Sequence, residues 1–278
     1  MRGAVVTAIW KIASREFELT ARSRWSWAFA LLLAILALGV SYLGLSLGGY
    51  ARFVGFARTA TSLVNLITFL IPVNALALGV LAFSPEQGDT EVLLAQPITR
   101  REVVVGKYLG ACGAMSAGLL WALGISGVVI ALRAGLSELV AYAVLVVLSI
   151  LLCMVFLGLG ALVSIVARNR MKALGGALAL WILLGVLYDL MVLGVSILFG
   201  GEWLRPILLS SVLANPMDTV RVVVLMLVGA KTSLGPGGAI LGELAGSVLG
   251  KTLIAVSLVA WVMIPLWLAT RAFQEQDF

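Results

Sequence analysis

Six long apolar stretches determine what this chain can fold into. A helix needs about 20 mostly apolar residues, at a rise of about 1.5 Å each, to cross the roughly 30 Å hydrocarbon core of a bilayer. The stretches lie at 25–47, 62–83, 108–132, 139–166, 174–198 and 247–269. With 62% hydrophobic and 12% charged residues, the chain has too little polar surface to cover a globule in water. The sequence therefore predicts an all-α integral membrane protein with six transmembrane helices, and it excludes a water-soluble domain.

The positive charges indicate the orientation of the spans. An even number of spans places both termini on one side of the membrane. If that side is the cytosol, 12 of the 19 Lys and Arg residues lie in or beside cytosolic segments. These are Arg2, Lys11, Arg15, Arg22, Arg24, Arg100, Arg101, Lys107, Arg168, Arg170, Lys172 and Arg271. We therefore expect a multi-pass protein of the cell (inner or plasma) membrane with cytosolic termini, and we attribute the net charge of +6 to topology rather than to nucleic-acid binding.

Residues 1–24 precede the first span and have an amphipathic helical pattern. The apolar positions are Val6, Ile9, Trp10, Ala13 and Phe17, and the charged positions are Lys11, Arg15, Glu18 and Arg22. This pattern is typical of a helix that lies in the membrane interface. The sequence therefore predicts an N-terminal interfacial helix, and the following apolar block is long enough to remain as a span rather than to act as a cleaved signal.

The segment between the second and third spans, residues 84–107, carries several helix start and stop signals. A capping pattern at Ser84 begins a short helix that Gly88 interrupts. A second short helix ends at Pro97, and the capping box from Thr99 to Glu102 begins the third span. The apolar residues of the second short helix are Val92, Leu93 and Leu94. They need a protein surface to bury them, which favours a docking element over an ordinary solvated connector.

This segment resembles the cytoplasmic loop of type-2 ABC transporter permeases. The matching residues are, in order, Glu86, Gly88, Thr90, the pair Leu93 and Leu94, Pro97, the pair Arg100 and Arg101, and Gly106 with Lys107. Asp89 separates Gly88 from Thr90, which departs from the usual order of that family. The six spans and the N-terminal helix also match, so the resemblance covers the chain as one permease domain, residues 1–278.

The resemblance implies a non-catalytic transmembrane subunit whose short cytosolic helix docks on a separate ATPase subunit. That partner would bind ATP and Mg²⁺, and this chain would bind no cofactor. A second contact with the ATPase is expected at Arg168, Arg170 and Lys172. Arg100 and Arg101 also satisfy the positive-inside rule, so they are either ATPase contacts or topology anchors.

Residues 199–246 form the predicted outer segment between spans five and six. Asn215 is a helix cap, Pro216 occupies the first helical position, and Asp218 lies in the first turn, where it meets the positive end of the helix dipole. The helix would stop at Gly229, which makes it too short to span the bilayer. Such a short apolar helix is either re-entrant or a platform for a partner protein.

Two short strings narrow the resemblance within the type-2 permeases. The strings Asn215-Pro216-x-Asp218-x-x-Arg221 and Tyr188-Asp189-Leu190 resemble the permeases of nitrous-oxide reductase maturation transporters. This likeness implies a homodimer with a cytosolic ATPase, an extracytoplasmic accessory protein on the outer segment, and a cargo for assembly of a copper-sulfur enzyme.

Asp189 is the one clear acid within a predicted span. A charge at mid-bilayer costs at least a few kcal/mol, so this carboxylate should face protein or water or be protonated. Two interpretations fit: Asp189 lines the transport pathway or the dimer seam, or it is a neutral acid bonded to a neighbouring helix. The chain has no histidine and no paired carboxylates, metal-spaced cluster or nucleophile triad, which argues against catalysis and against a metal site.

Three functional classes remain at this point. The first is a permease subunit of an ATP-driven exporter, which supplies a maturation factor for an extracytoplasmic copper enzyme or, as a generic type-2 exporter, moves drugs, lipids or peptides. The second is an ion-driven secondary transporter, which would require inverted repeats and several intramembrane ionisable groups. The third is a membrane scaffold without transport, which would need no ATPase.

Overall fold

A computed structural model describes residues 2–47, 52–84, 99–133, 135, 138–199, 201–229, 242 and 246–275. Within these residues all regular elements are helices. They are α1 (Arg2–Arg22), α2 (Arg24–Leu47), α3 (Arg52–Phe83), α4 (Arg100–Arg133), α5 (Leu139–Ala167), α6 (Arg170–Ile182), α7 (Tyr188–Leu198), α8 (Leu204–Ala214), α9 (Pro216–Leu227) and α10 (Val248–Gln274). A π-helix, Leu183–Leu187, joins α6 to α7, and a 3₁₀ turn, Gly201–Trp203, precedes α8.

Six of these helical segments are long and apolar enough to span a membrane, which confirms the predicted number. They are α2, α3, α4, α5, the continuous unit α6–π–α7 (Arg170–Leu198), and α10. Span three begins at Arg100 rather than at residue 108. The apolar pattern placed this boundary too late, because the first turns of α4 carry several charged residues. The helix already begins before these turns, at its N-terminal cap.

The spans alternate in direction, so their ends form two faces. On the terminal face, which carries both ends of the described chain, Ser164 Oγ of α5 donates to Val80 O of α3 at 3.0 Å. On the far face, the Arg133 guanidinium at the end of α4 lies 4.8 Å from the ring centre of Tyr42 on α2. Each contact joins two helices that end on the same face: α3 and α5 end on the terminal face, and α2 and α4 end on the far face, as six alternating crossings require.

The core is centred on α3, which is the most buried of the six spans and crosses α5 at very close range. A Cβ at Gly79 would lie 3.0 Å from Gly160 Cα, and a Cβ at Gly160 would overlap the carbonyl oxygen of Leu76. Small residues let two helix backbones meet in this way. The crossing fixes spans two and four against each other.

Polar side chains join the spans within the apolar part of the domain. Trp25 Nε1 donates to Asn74 Oδ1 at 3.0 Å, which links α2 to α3. Ser126 and the Tyr142 hydroxyl lie 2.7 Å apart and link α4 to α5. Cys112 and Cys153 are free and buried in the core.

Candidate functional site

The N-terminal helix α1 packs along the first half of α4. A Cβ at Gly106 would lie 2.8 Å from Ile12, and a Cβ at Gly110 would lie 2.7 Å from Glu16 Cβ, so the two glycines admit α1 against the α4 backbone. Val6 and Trp10 point away from this contact and are 66% and 74% exposed. The predicted apolar face is therefore divided between a side that packs on α4 and a side that is open to the surroundings.

Much of the predicted docking segment lies outside the described residues. Glu86, Gly88, Thr90, Val92, Leu93, Leu94 and Pro97 all fall within 85–98. The structure describes both ends of this segment, at Ser84 and from Thr99 onward. Those ends show how the segment is attached to the membrane domain.

The end of the docking segment at Thr99 is a capping box, as predicted. The backbone N–H of Thr99 donates to Glu102 Oε2 at 2.9 Å, and the backbone N–H of Glu102 lies 3.4 Å from Thr99 Oγ1. Two of the donors that a helix leaves free at its N-terminus are thereby satisfied. The cap therefore fixes the first turn of α4, at the point where the docking segment joins this helix.

Lys107 ties the two ends of the segment together. This lysine is buried, and its Nζ donates to Ala82 O at 2.9 Å, where the last carbonyl groups of α3 have no helical partner. Its ammonium also lies 5.9 Å from the ring centre of Phe83. A positive charge at a helix C-terminus is favourable. Lys107 therefore clamps the end of span two to the start of span three.

Replacing Lys107 with methionine should lower the free energy of unfolding by about 2 kcal/mol, because the buried carbonyl of Ala82 loses its donor. Tryptophan fluorescence during unfolding in mixed micelles would measure the change. Arg101→Met is the matched control, since Arg101 is an exposed cation on the same helix. Equal losses in the two variants would contradict the clamp.

Arg100 and Arg101, which the sequence treated alike, have different surroundings. Arg100 Nη1 donates to Gln274 O at 2.9 Å and lies 3.5 Å from Phe273 O, at the end of α10. Arg101 is exposed. Arg100 thus joins the base of the docking segment to span six, while Arg101 remains open to a partner.

The second predicted contact is a tight turn on the same face. Arg168 ends α5 with a left-handed backbone, φ 52°, and Asn169 Oδ1 accepts from the backbone N–H of Lys172 at 3.1 Å. Arg168, Arg170 and Lys172 are all exposed. The turn therefore presents three cations on the face that also carries the docking segment.

A bent helix pair, α8 and α9, follows span five. The two helices meet at 108°, and Asn215 caps α9 as predicted, with its Oδ1 accepting from the backbone N–H of Met217 at 3.0 Å. Pro216 is the first residue of α9. The cap side chain also reaches outside its own helix: Asn215 Nδ2 donates to Leu184 O at 2.8 Å.

Asp189 of span five and Arg221 of α9 form an ion pair, with Nη1 and Oδ2 3.0 Å apart. The same Nη1 lies 3.1 Å from Asp218 Oδ1. One guanidinium thus serves two carboxylates, and the side chains of Asp218 and Arg221 are only 15% and 20% exposed. We call Asp189, Asp218 and Arg221 the charge cluster. It agrees with the expectation that a carboxylate within a span faces a partner on another helix.

The π-helix within span five lies beside this cluster. A π-helix shifts backbone hydrogen bonds out of the α pattern and occurs mostly as single-turn bulges. Asn215 Nδ2 donates to Leu184 O within it, and the Tyr188 hydroxyl donates to Ser211 O at 2.8 Å. The apolar periodicity of span five gave no signal for the bulge, because a one-turn bulge leaves composition unchanged. The structure thus brings together the two strings at 188–190 and 215–221 that are far apart in sequence.

Among the residues that the structure describes, no group of three or more His, Cys, Asp or Glu side chains could hold a metal ion. The described residues form two structural joints. On the terminal face, the base of the docking segment is fastened to neighbouring spans. In the other half of the domain, an ion pair joins span five to the bent helix pair.

The comparisons with known proteins agree with this architecture. The family described as "ABC-2 family transporter protein" matches residues 10–278. The chain is 30% identical to the probable ABC transporter permease protein NosY of Stutzerimonas stutzeri over 275 residues, which cover 96% of this chain and 98% of that protein. It is 32% identical to the protein of the same description from Pseudomonas aeruginosa over 223 residues, which cover 77% and 80%.

The family match extends over nearly the whole chain, and both relatives are similar over most of their own length. All six spans of the structure lie within the residues that the family matches. This multi-pass membrane protein therefore belongs to the ABC-2 family of transporter permeases.

Proposed function

We propose that this chain is the non-catalytic membrane subunit of an ATP-driven exporter, with its terminal face in the cytosol. The supporting observation is the attachment of the docking segment. Lys107 fastens its base to span two, and Arg100 fastens it to span six. A force applied to residues 85–98 would then be transmitted to three spans and, through the packing on α4, to α1.

The partner on the terminal face is an ABC ATPase subunit, which binds ATP and Mg²⁺, while this chain binds no cofactor. The main contact is the docking segment, with Glu86, Gly88, Thr90, Val92, Leu93, Leu94 and Pro97, and the exposed cations Arg101, Arg168, Arg170 and Lys172 add to it. The exposed side of α1, with Val6 and Trp10, lies in the membrane interface. Both termini are cytosolic.

A second copy of the chain completes the transport pathway. Span five is the least buried of the six spans. Its exposed apolar side chains include Leu183, Leu187, Leu190 and Met191, and the side chain of Asp189 on the same span is 39% exposed. This face is the dimer seam, and the charge cluster lies beside it.

The bent pair α8–α9 is re-entrant and carries an extracytoplasmic accessory protein on its outer end. Three contacts support a position of its tip at mid-membrane. Asn215 bonds to Leu184, the middle residue of span five, and Trp261 Nε1, in the middle of span six, lies 3.4 Å from Leu213 O. Met217 lies beside Gly185 and near Phe69, in the middle of span two. The charge cluster then lies in the outer half of the bilayer.

The similarity to NosY permeases supports a specific cargo. We propose that the transporter supplies a maturation factor for an extracytoplasmic copper enzyme such as nitrous-oxide reductase. Export of a drug, lipid or peptide by a generic type-2 transporter is the second candidate, since the fastened docking segment serves any cargo equally well.

Exchange of Val92 and Leu93 for glutamate should reduce recovery of an ABC ATPase with the tagged chain at least tenfold, since two charges replace the apolar contact. The measurement is affinity purification in mild detergent, followed by peptide identification and an ATP hydrolysis assay. The control is Leu132→Glu/Val140→Glu, which places two charges at exposed positions at the far-face ends of α4 and α5, away from span five.

Recovery of the ATPase with the native chain and with the far-face control, but not with the docking variant, would support the permease function. If the native chain recovers no ATPase, the proposed function fails, and an ion-driven transporter or a scaffold takes its place. Equal recovery with the docking variant would remove Val92 and Leu93 from the ATPase contact.

A further inference from the structure

A deep apolar groove opens on the side of the domain between α5, α9 and α10. Its volume is about 850 Å³, and most of its lining is apolar. Its walls are α5 from Val144 to Met154, α9 from Val223 to Leu227 and α10 from Lys251 to Met263, and Gly242 and Gly246, which precede α10, also line it. These residues play no part in the docking segment or the charge cluster.

The groove occupies one half of the membrane thickness. On α5 it runs from Val144, near the far-face end, to Met154, in the middle of that helix. On α10 it runs from Lys251 to Met263, which at about 1.5 Å per residue is about 18 Å. That length is close to half of a bilayer that measures about 40–45 Å with its headgroup regions. The groove therefore has the extent of one lipid tail with its headgroup in the far-face leaflet.

Lys251 gives this groove a charged end. It lies in the first turn of α10, is exposed, and has no acidic partner in the described part of the chain. Ser247 caps this helix by accepting from the backbone N–H of Gly250 at 2.9 Å, and the first turn carries the positive end of the helix dipole. The remaining lining is apolar, so the positive charge is confined to the end where a lipid phosphate would lie.

We propose that this groove is a binding site for an anionic phospholipid of the far-face leaflet. One acyl chain lies along α10 from Ile254 to Met263, between α5 and α9. The phosphate pairs with the Lys251 ammonium, in the manner of basic residues that bind acidic lipid headgroups at the ends of transmembrane helices. The lipid fills the gap between α9 and α10 and so supports the bent helix pair from the side opposite the charge cluster.

The site is tested with the purified full chain in mild detergent, titrated with phosphatidylglycerol and measured by native mass spectrometry. Lys251→Met should weaken retention of the lipid about fivefold, as expected for one basic residue near an anionic headgroup, and Lys251→Arg should retain it. Phosphatidylcholine, which carries no net charge, should bind the native chain and Lys251→Met equally.

A second pair of variants tests the groove itself. Ala255→Phe places a ring in the groove and should remove most of the bound phosphatidylglycerol. Val256→Phe adds the same ring at the next position on α10, which is 64% exposed and does not line the groove, and should leave binding unchanged. Helix content and gel-filtration profile identify any variant that fails to fold, in which case the Lys251 variants decide.

Several outcomes would overturn the site. These are equal lipid retention by Ala255→Phe and Val256→Phe in folded protein, no effect of Lys251→Met, or displacement of the lipid by inorganic phosphate alone. None of these measurements involves an ATPase, so failure of this site and failure of the proposed transport function are separate results.

Discussion

Replacing Arg221 with methionine should lower the free energy of unfolding by about 3 kcal/mol, because removing a partly buried cation leaves two carboxylates without their counter-charge. Here one guanidinium serves both Asp189 and Asp218, at 3.0 and 3.1 Å. Without it, two carboxylates would face each other across the joint between span five and α9. The measurement is reversible unfolding in mixed micelles, followed by tryptophan fluorescence.

Two variants make this expectation specific to the charge cluster. The triple variant Asp189→Asn/Asp218→Asn/Arg221→Met should regain most of the lost stability, since it leaves no unpaired charge in the cluster. Arg271→Met breaks an exposed pair with Glu275, whose two side chains are 63% and 70% exposed, and should cost less than about 1 kcal/mol.

Two other outcomes would contradict the role of the charge cluster in this joint. If Arg221→Met costs no more than Arg271→Met, water reaches the carboxylates freely and the cluster does not hold α9 to span five. If the triple variant is as unstable as Arg221→Met, the loss comes from packing of the arginine side chain rather than from charge.

The parts of the fold that depend on local sequence could be predicted. Apolar length is sufficient to locate six spans, because the energetic requirement of the hydrocarbon core acts on each segment separately. The caps at Thr99 and Asn215 could also be predicted, since a cap is formed by residues within one turn of each other. Each of these predictions involves only neighbours in sequence.

Several features that sequence reasoning missed join distant segments. Lys107 was predicted as an ATPase-coupling residue because the pair Gly106 and Lys107 matches the family pattern. The structure buries it because the free carbonyls at the end of α3 supply an acceptor. Asp189 left two interpretations open since its partner, Arg221, belongs to another helix. Only the packed arrangement of helices brings such pairs together.

The same limit applied to the glycines at the crossing of α3 and α5. Sequence reasoning gave no weight to Gly79 and Gly160, because glycine is common in membrane helices and a single glycine does not identify its neighbour. In the structure the α3 and α5 backbones meet at this pair. The close approach of α3 and α5 is thus a contact that composition does not reveal.

Gly160→Val should lower the free energy of unfolding by about 3 kcal/mol, at the upper end of what overpacking a core costs. The new side chain would overlap the carbonyl oxygen of Leu76, and a backbone atom cannot rotate away as a side chain can. Spans two and four would have to separate. Because α3 is the most buried span and Lys107 is fastened to its end, the separation would also shift the base of the docking segment.

Gly39→Val is the matched control, since a Cβ at Gly39 on α2 meets no atom within 4 Å. Both changes introduce the same branched side chain into an apolar span, so any general effect on helix formation or membrane insertion is shared. Thermal unfolding of both variants in the same detergent would separate the two cases. Equal stability of the two variants would mean that α3 and α5 can move apart at little cost, and the rigid crossing could then not carry force from the docking segment into the membrane domain.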